Sequence, residues 1–283
     1  MEMKRVSAAG LLRDKHATML NGRLRAFSAL WGNVISRRRL GAGTASGRTT
    51  ITNSTPTIDS HAGMAGRIWH SPVFQVSLLR AGIAGAVVYA AGDALSGALY
   101  DGYSFRDQAV SELSAYGSPV RPLAVSFISV QGLLELGFNL GVWEAGKRYR
   151  ALRWTAGCLL ASGILTAPLH PFFPMSSRGM VSGPNDTAHQ VITMAFVPLV
   201  IGAVVSSAFA LPGRFRLYAI GSLVVMAASA AMTGPLMENL ATNKPTPGLG
   251  AFERVNAYTM FFWIIVLALV LMRRVRAEGR AGT

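Results

Sequence analysis

The sequence predicts an all-α integral membrane protein, a bundle of six transmembrane helices with both termini in the cytoplasm. The 283-residue chain is 51% hydrophobic and only 14% charged, which is too apolar for an ordinary soluble domain. Its apolar residues form runs of about 20, the length that crosses the hydrocarbon core of a bilayer. Connections that hold many basic residues alternate along the chain with connections that hold few. These three observations together predict the fold class and its orientation.

The predicted helices are separated by connections with clusters of Pro, Gly and Ser, such as "GSPVRP", "LPGRFR" and "NKPTPG", which are typical of turns. Lipid-exposed backbone must satisfy its hydrogen bonds internally, so helices are expected throughout the apolar runs. They form one predicted transmembrane domain over residues 71–275. The spans cover about residues 77–100, 122–145, 154–173, 187–211, 217–236 and 255–272.

Basic residues set the predicted orientation. The second and fourth connections and the tail, residues 276–283, are rich in them, and positive charge stays cytoplasmic. We therefore expect both termini inside and the first, third and fifth connections outside, in a bacterial plasma (inner) membrane. The basic residues at the predicted inner side are Lys147, Arg148, Arg150, Arg153, Arg214, Arg216, Arg273, Arg274, Arg276 and Arg280.

The first 70 residues form a separate segment that is rich in Arg, Ser and Thr and contains only three acids, Glu2, Asp14 and Asp59. We expect it to be disordered. It is a transit peptide, a basic tail on an anionic leaflet, or non-native coding sequence upstream of a start at Met64.

A formal charge of +14 is typical of proteins that bind nucleic acid. However, the sequence has no zinc-ligand spacing and no aromatic ribonucleoprotein signature. We therefore predict membrane lipid and no nucleic acid as the partner. The sequence leaves the oligomeric state open.

Side chains able to bind or react collect at the predicted outer rim. They come from the first and third connections and from the first turns of the fourth and sixth helices. These residues are Ser111, Glu112, Ser114, His170, Asp186, His189, Glu253 and Arg254. Asp93 lies about 10 Å below the outer end of the first helix, at 1.5 Å per residue. Their convergence predicts an outward-facing polar pocket.

A second set of polar residues lies deep in the second helix. Gln131, Glu135 and Asn139 are spaced four apart, so they share one helix face. Charged groups at such depth are costly and normally face the bundle interior. We predict that Asp93, Ser114, Glu135, Glu253 and Arg254 bind the ligand of the pocket.

Structural explanations compete with this prediction. Asp186 suits a helix N-terminus, where a carboxylate complements the dipole. His170, before Pro171 and two phenylalanines, suits the interfacial belt. Glu135 suits a protonated or hydrogen-bonded packing element.

Three chemical hypotheses also remain open. His170, Asp186 and His189 have the ligand types of a zinc or other divalent metal site, in which Glu112 acts as the base of a hydrolase and Ser111 assists. The two histidines are also candidate haem ligands. Alternatively, Arg254, His170 and the acids bind a lipid headgroup without chemistry.

Four motifs carry a family resemblance: "AVSELSAYGSP", "HPFFP", "NDTAH" and "GAFERVNAYTMFFW". With them the chain resembles, over about residues 77–275, a bacterial and archaeal family of six-helix membrane proteins known as domain of unknown function nine-nine-eight. That family is distantly similar to Frag1 and DRAM type proteins. The resemblance implies the six-helix architecture and assigns no substrate. It singles out Ser111, Glu112, Asp186, His189, Glu253 and Arg254.

A looser likeness connects the chain to membrane hydrolases of the alkaline ceramidase and adiponectin-receptor kind, which use Ser, Asp and three His around zinc. Here Glu112 or Asp186 would have to replace one histidine. We predict a protein that binds or handles a lipid or small amphiphile at the outer leaflet, with a metal-dependent hydrolase as the alternative.

Overall fold

The structure is a computed structural model that describes Trp69 and residues 71–147, 149–167, 169, 171–180 and 183–281. The predictions for the N-terminal segment before Trp69, and those for Arg148 and His170, lie outside the described residues.

Six α-helices make up most of the described residues, in which there is no β-strand. They are α1 Pro72–Ala98, α2 Arg121–Ala145, α3 Arg150–Thr166, α4 Pro184–Ala210, α5 Arg214–Ala241 and α6 Leu249–Ala281. A short 3-10 helix, Val110–Ser114, lies between α1 and α2. The predicted all-α bundle of six helices is confirmed.

Five of the six described helices are long and apolar enough to cross a membrane, and α3, with 17 residues, is somewhat shorter. The chain is therefore a multi-pass helical membrane protein. We predicted the third span over about residues 154–173, but the helix ends at Thr166. Pro168 and Pro171 follow closely, and a proline has no N–H with which to continue the helical hydrogen bonds.

Consecutive helices run in opposite directions, so the bundle has two distinct ends. We call the end with the connections 99–120, 167–183 and 242–248 the cap end. The opposite end, with the connections 146–149 and 211–213 and the last turns of α6, is the tail end. That the cap end faces outside remains a prediction from the distribution of basic residues.

The helices follow one another around a ring. Each packs against the next in sequence, and α6 returns to pack against α1, but α4 and α5 meet less extensively than the other neighbours. Trp263, Ile264 and Leu267 of α6 are almost fully buried at the centre of the main core, together with Phe138 of α2.

The contact between α1 and α2 depends on glycine. A Cβ on Gly92 would lie 2.6 Å from Cβ of Phe127, and one on Gly82 would lie 2.6 Å from the ring of Phe138. Neither distance is sterically allowed, so only glycine permits the two backbones to approach this closely. The small residues of α1 therefore serve a contact within the chain.

Burial along α4 and α5 is concentrated towards the tail end. The buried residues of α4 are Ile192, Ala203, Val204, Ser207 and Ala208, so four of the five lie in its second half. In α5 beyond Met226, the buried residues are Ser229 and Leu240. The cap-end halves of these helices leave large apolar side chains exposed, such as Val191 (63%), Met194 (71%) and Met232 (53%).

Candidate functional site

The three connections at the cap end are joined through one arginine. Arg178, in the third connection, binds the Glu112 carboxylate of the first connection through Nε (2.7 Å) and Nη2 (2.9 Å). Nη2 also donates to the hydroxyl of Thr246, in the connection between α5 and α6, at 2.6 Å. We call residues 99–120, 171–180 and 242–248 the loop cap.

The first connection is shaped to present Glu112. Its Oε1 accepts a hydrogen bond from the Ala109 N–H (2.8 Å), which closes the first turn of the 3-10 helix. Further along, the Tyr116 N–H donates to the Met175 carbonyl at 2.9 Å, and the Ser177 N–H donates back to Tyr116 at 3.2 Å. The first and third connections are thus joined by backbone as well as by side chains.

Asp107 links the first connection to the last. Its Oδ1 accepts from the Gly248 N–H at 2.7 Å, and its carbonyl accepts from the Thr246 hydroxyl at 2.7 Å. Gly248 has a φ of 83°, a left-handed conformation that glycine adopts without strain. This turn sets the start of α6 directly beneath the loop cap.

A second network connects the loop cap to the bundle interior. The guanidinium of Arg254 in α6 donates two hydrogen bonds to the Asp93 carboxylate in α1. Nε lies 3.0 Å from Oδ2, and Nη2 lies 2.7 Å from Oδ1. The two side chains are 11% and 3% exposed. Charges at this depth are tolerated when they are paired and hydrogen-bonded. We predicted Asp93 and Arg254 as ligand-binding residues, and in the structure their charges neutralise each other.

Two tyrosines and the loop backbone complete this network. Arg254 Nη2 donates to the Tyr103 hydroxyl at 2.8 Å, and the Tyr258 hydroxyl donates to Asp93 Oδ2 at 2.7 Å. Arg254 Nη1 donates to the carbonyl of Phe105 at 2.6 Å and lies over its ring, with Cζ 4.8 Å from the centroid. Arg254 thereby fixes the first connection to both α1 and α6.

Tyr103 is the titratable member of this network that lies outside the helices. Burial raises the pKa of its hydroxyl well above the usual value, and the hydrogen bond with Arg254 opposes that shift without cancelling it. The hydroxyl donates to the Ala109 carbonyl at 2.8 Å. Tyr103 is therefore a neutral donor over the whole physiological pH range.

Glu253, next to Arg254, also holds the first connection. Its Oε2 accepts from the Val110 N–H at 2.7 Å. Ser111 and Ser114 are both partly buried in the same turn, where the Ser114 hydroxyl donates to the Ser111 carbonyl at 3.2 Å. The proposed catalytic pair of Ser111 and Glu112 therefore lies in the loop cap, with the Glu112 carboxylate bonded to Arg178.

Asp186 and His189 hold the third connection against α4. The Asp186 carboxylate accepts from the Ser176 N–H (2.7 Å), the Ser176 hydroxyl (2.8 Å) and the Gly183 N–H (2.8 Å). Nδ1 of His189 donates to the Phe173 carbonyl at 3.0 Å. The helix N-terminal role considered for Asp186 agrees with these contacts.

The metal hypothesis rests on residues that the structure describes only in part. Within the described ranges, no three His, Cys, Asp or Glu side chains come together in a group that could hold a metal ion. His170 lies outside those ranges. The set of His170, Asp186 and His189 therefore remains a prediction.

Glu135 lies apart from the loop cap, near the middle of α2. Its Oε2 accepts from Nε2 of Gln131 at 2.5 Å, and Asn139 one turn further on donates to the Leu159 carbonyl at 2.8 Å. Gln131 and Asn139 are buried and Glu135 is partly buried. The predicted polar stripe exists, and its contacts agree with a hydrogen-bonded packing element.

Sequence reasoning assigned no function to four residues of these networks, Arg178, Tyr103, Tyr258 and Thr246. Arg178 is one of the few basic residues in the predicted outer connections. Its position on the predicted outer side departs from the positive-inside tendency, and that departure is the one sequence signal that marks it. No comparable sequence signal marks the tyrosines.

Residues 83–270 match the family described as "Protein of unknown function (DUF998)". The matched segment is more than half of the chain and includes the entire loop cap. The chain belongs to this DUF998 family. No curated protein and no solved structure matches the chain. The family description names no activity, so a function has to be argued from the described residues.

Proposed function

We propose that this DUF998 protein binds a membrane lipid or small amphiphile in the outer leaflet, between the cap-end halves of α4 and α5. The observation that carries the proposal is the one-sided packing of these helices. Ile192 is the sole buried residue of α4 before position 200, within the described part of the chain. We call the space between residues 184–199 and 227–241 the lateral groove.

Apolar residues of the loop cap close the groove at one end. Met175 of the third connection packs with Leu236, Met237 and Leu240 at the end of α5. The short connection 211–213 and the packing around Phe215 close the other end. Exposed apolar helix halves that face the bilayer between two packed ends suit a ligand that arrives from the membrane.

Two prolines add polar character to this space. Pro198 of α4 and Pro235 of α5 have no N–H, so the carbonyls of Met194 and Ala231 lack their usual helical donors. A carbonyl without a donor is costly in hydrocarbon. A hydroxyl, amide or amine of an amphiphile would satisfy it, which favours a ligand with a donor group close to its acyl chains.

The proposal assigns the loop cap a supporting role. Its acids and arginines bind one another. In this proposal they hold the cap-end boundary of the groove in place and keep α4 and α5 at a defined separation. The hydrolase alternative would need His170, Asp186 and His189 to share a metal ion. It would be tested by elemental analysis of the purified protein against His189→Ala.

Photo-crosslinking to lipid tests the proposal directly. A diazirine amino acid would be placed at Ala195 of α4 or Ala230 of α5, both exposed. The control position is Val87 of α1, which is 63% exposed. All three lie eleven residues from the cap-end terminus of their helix, at about 16 Å along its axis.

Saturable labelling at Ala195 and Ala230, competed by excess unlabelled lipid of one class, is the expected result. Labelling at Val87 should follow only the bulk lipid composition. Equal and non-saturable labelling at all three positions would reject a bound lipid in the groove.

A further inference from the structure

A separate cavity of about 570 Å³, wide open to the surroundings, lies at the tail end and is lined by α2, α3 and the connection between them. It lies at the opposite end of the bundle from the loop cap. Its lining is basic and aromatic, whereas the lateral groove is mainly apolar. Its lining residues are Trp143, Lys147, Arg150, Arg153, Trp154 and Gly157. Three cations and two indoles thus surround one space.

The positive charge in this cavity is only partly neutralised. Lys147 pairs with the Glu144 carboxylate at 2.6 Å. No ion pair joins Arg150 or Arg153 to a carboxylate among the residues that the structure describes. The cavity therefore keeps two guanidinium groups available for an anion, and guanidinium matches the geometry of phosphate oxygens.

The arginine and the indoles are also arranged for a ligand with an apolar part. Arg153 Cζ lies 5.1 Å from the centroid of the Trp143 ring, a cation–π contact that holds the guanidinium in place. Trp154 is 62% exposed. A Cβ on Gly157 would meet no atom within 4 Å, so the floor of the cavity is open.

We propose that this cavity binds the phosphate of an anionic membrane phospholipid. Tryptophan and arginine at a helix end lie at headgroup depth in a bilayer, where a lipid phosphate is the abundant anion. Arg150 and Arg153 bind the phosphate, and the glycerol and first acyl carbons contact the indoles above Gly157. Basic pockets between membrane helices bind acidic headgroups in this manner.

The test uses the full chain in detergent and measures the binding of defined lipids by native mass spectrometry. Phosphatidylglycerol is the anionic probe, and phosphatidylcholine with the same acyl chains is the zwitterionic control. Glycerol phosphate is the soluble probe that carries the same anion without a membrane component. The variants are Arg150→Gln, Arg153→Gln and Gly157→Leu, with Arg276→Gln as the matched control.

Arg276 is exposed at the same end of the bundle but does not line the cavity. We expect phosphatidylglycerol to bind more tightly than phosphatidylcholine, and each cavity arginine variant to weaken it roughly fivefold. Arg276→Gln should change the affinity less than about twofold. Gly157→Leu keeps every charge, so a comparable loss in that variant would place the lipid inside the cavity.

Three outcomes would overturn the proposal. They are equal affinity for the two lipids, equal loss in Arg276→Gln and the cavity variants, and full binding by Gly157→Leu. Displacement of phosphatidylglycerol by glycerol phosphate at equal concentration would also count against it, since the site would then be one for a soluble phosphate. Monodisperse elution of each variant confirms that it is folded.

Discussion

The contact between α1 and α2 and the contact between α4 and α5 differ in how completely they are closed. In the first, glycines bring the backbones together and the Asp93–Arg254 pair crosses above them to α6. In the second, the cap-end halves expose large apolar residues along most of their length. Both pairs connect antiparallel neighbours in the same bundle.

The difference indicates that the contact between α1 and α2 is rigid, whereas the cap-end halves of α4 and α5 can adapt to a ligand. A tightly packed interface loses stability when even one methyl group is added. An interface left to the surrounding lipid tolerates such changes and leaves space for a ligand. We therefore expect substitutions around α1, α6 and the loop cap to affect folding, and substitutions in the lateral groove to affect binding.

The largest expected effect is that of Arg254→Ala. It leaves the Asp93 carboxylate buried with only Tyr258 as a described side-chain partner, and breaking a buried pair in this way costs about 3–5 kcal/mol. Thermal unfolding followed by fluorescence-detected size exclusion would measure it.

The double variant Asp93→Asn, Arg254→Gln is the control for Arg254→Ala, since it removes both charges. It should recover part of the loss. An unchanged melting temperature for Arg254→Ala would show that the pair does not hold α1 to α6.

The next effect compares the same substitution at the closed contact between α1 and α2 and at an exposed position of α5. Gly92→Ala places a methyl group 2.6 Å from Phe127 Cβ, and overpacking of this kind costs about 1–3 kcal/mol. Gly221→Ala in α5 meets no atom within 4 Å, so the higher helix propensity of alanine should stabilise it by up to about 1 kcal/mol. Equal melting temperatures for the two variants would contradict the tight packing of α1 against α2 at Gly92.

Glu112→Gln tests the loop cap alone. Arg178 then loses its carboxylate but keeps the Thr246 hydroxyl and the Asp107 carbonyl as acceptors. Because Arg178 is 26% exposed, water compensates in part, and we expect a loss of about 1–2 kcal/mol. Limited proteolysis of the connections should quicken, whereas Ser114→Ala should leave both readouts nearly unchanged.

The smallest effect concerns pH and Tyr103. Its pKa is raised in the folded protein, so its contribution to stability is present below the unfolded tyrosine value of about 10 and declines as pH rises above it. Wild type should therefore lose stability between about pH 9 and 11. Tyr103→Phe should be slightly less stable at pH 8 and should lose less over that interval. Parallel curves for the two proteins would contradict this role.

How much of the site was predictable depends on the distance between the residues involved. The Ser-Glu-Leu turn and the Asp186 helix start are local patterns, so the sequence alone singled out Ser111, Glu112 and Asp186. The partners of Asp93 and Glu112 were not predictable, because Arg254 and Arg178 lie 161 and 66 residues away. The sequence predicted that these polar groups share one end of the bundle, but not that they bind each other.

The sequence by itself determined the number and type of the helices, because hydrocarbon permits one backbone solution for a long apolar run and prolines mark where such runs end. The tertiary structure alone decided which charges neutralise one another and which helix pair stays partly open. Those outcomes depend on contacts a few ångströms long between residues that are far apart in the sequence, such as a glycine against a neighbouring helix or an arginine on a carboxylate. Patterns along the chain do not determine such distances.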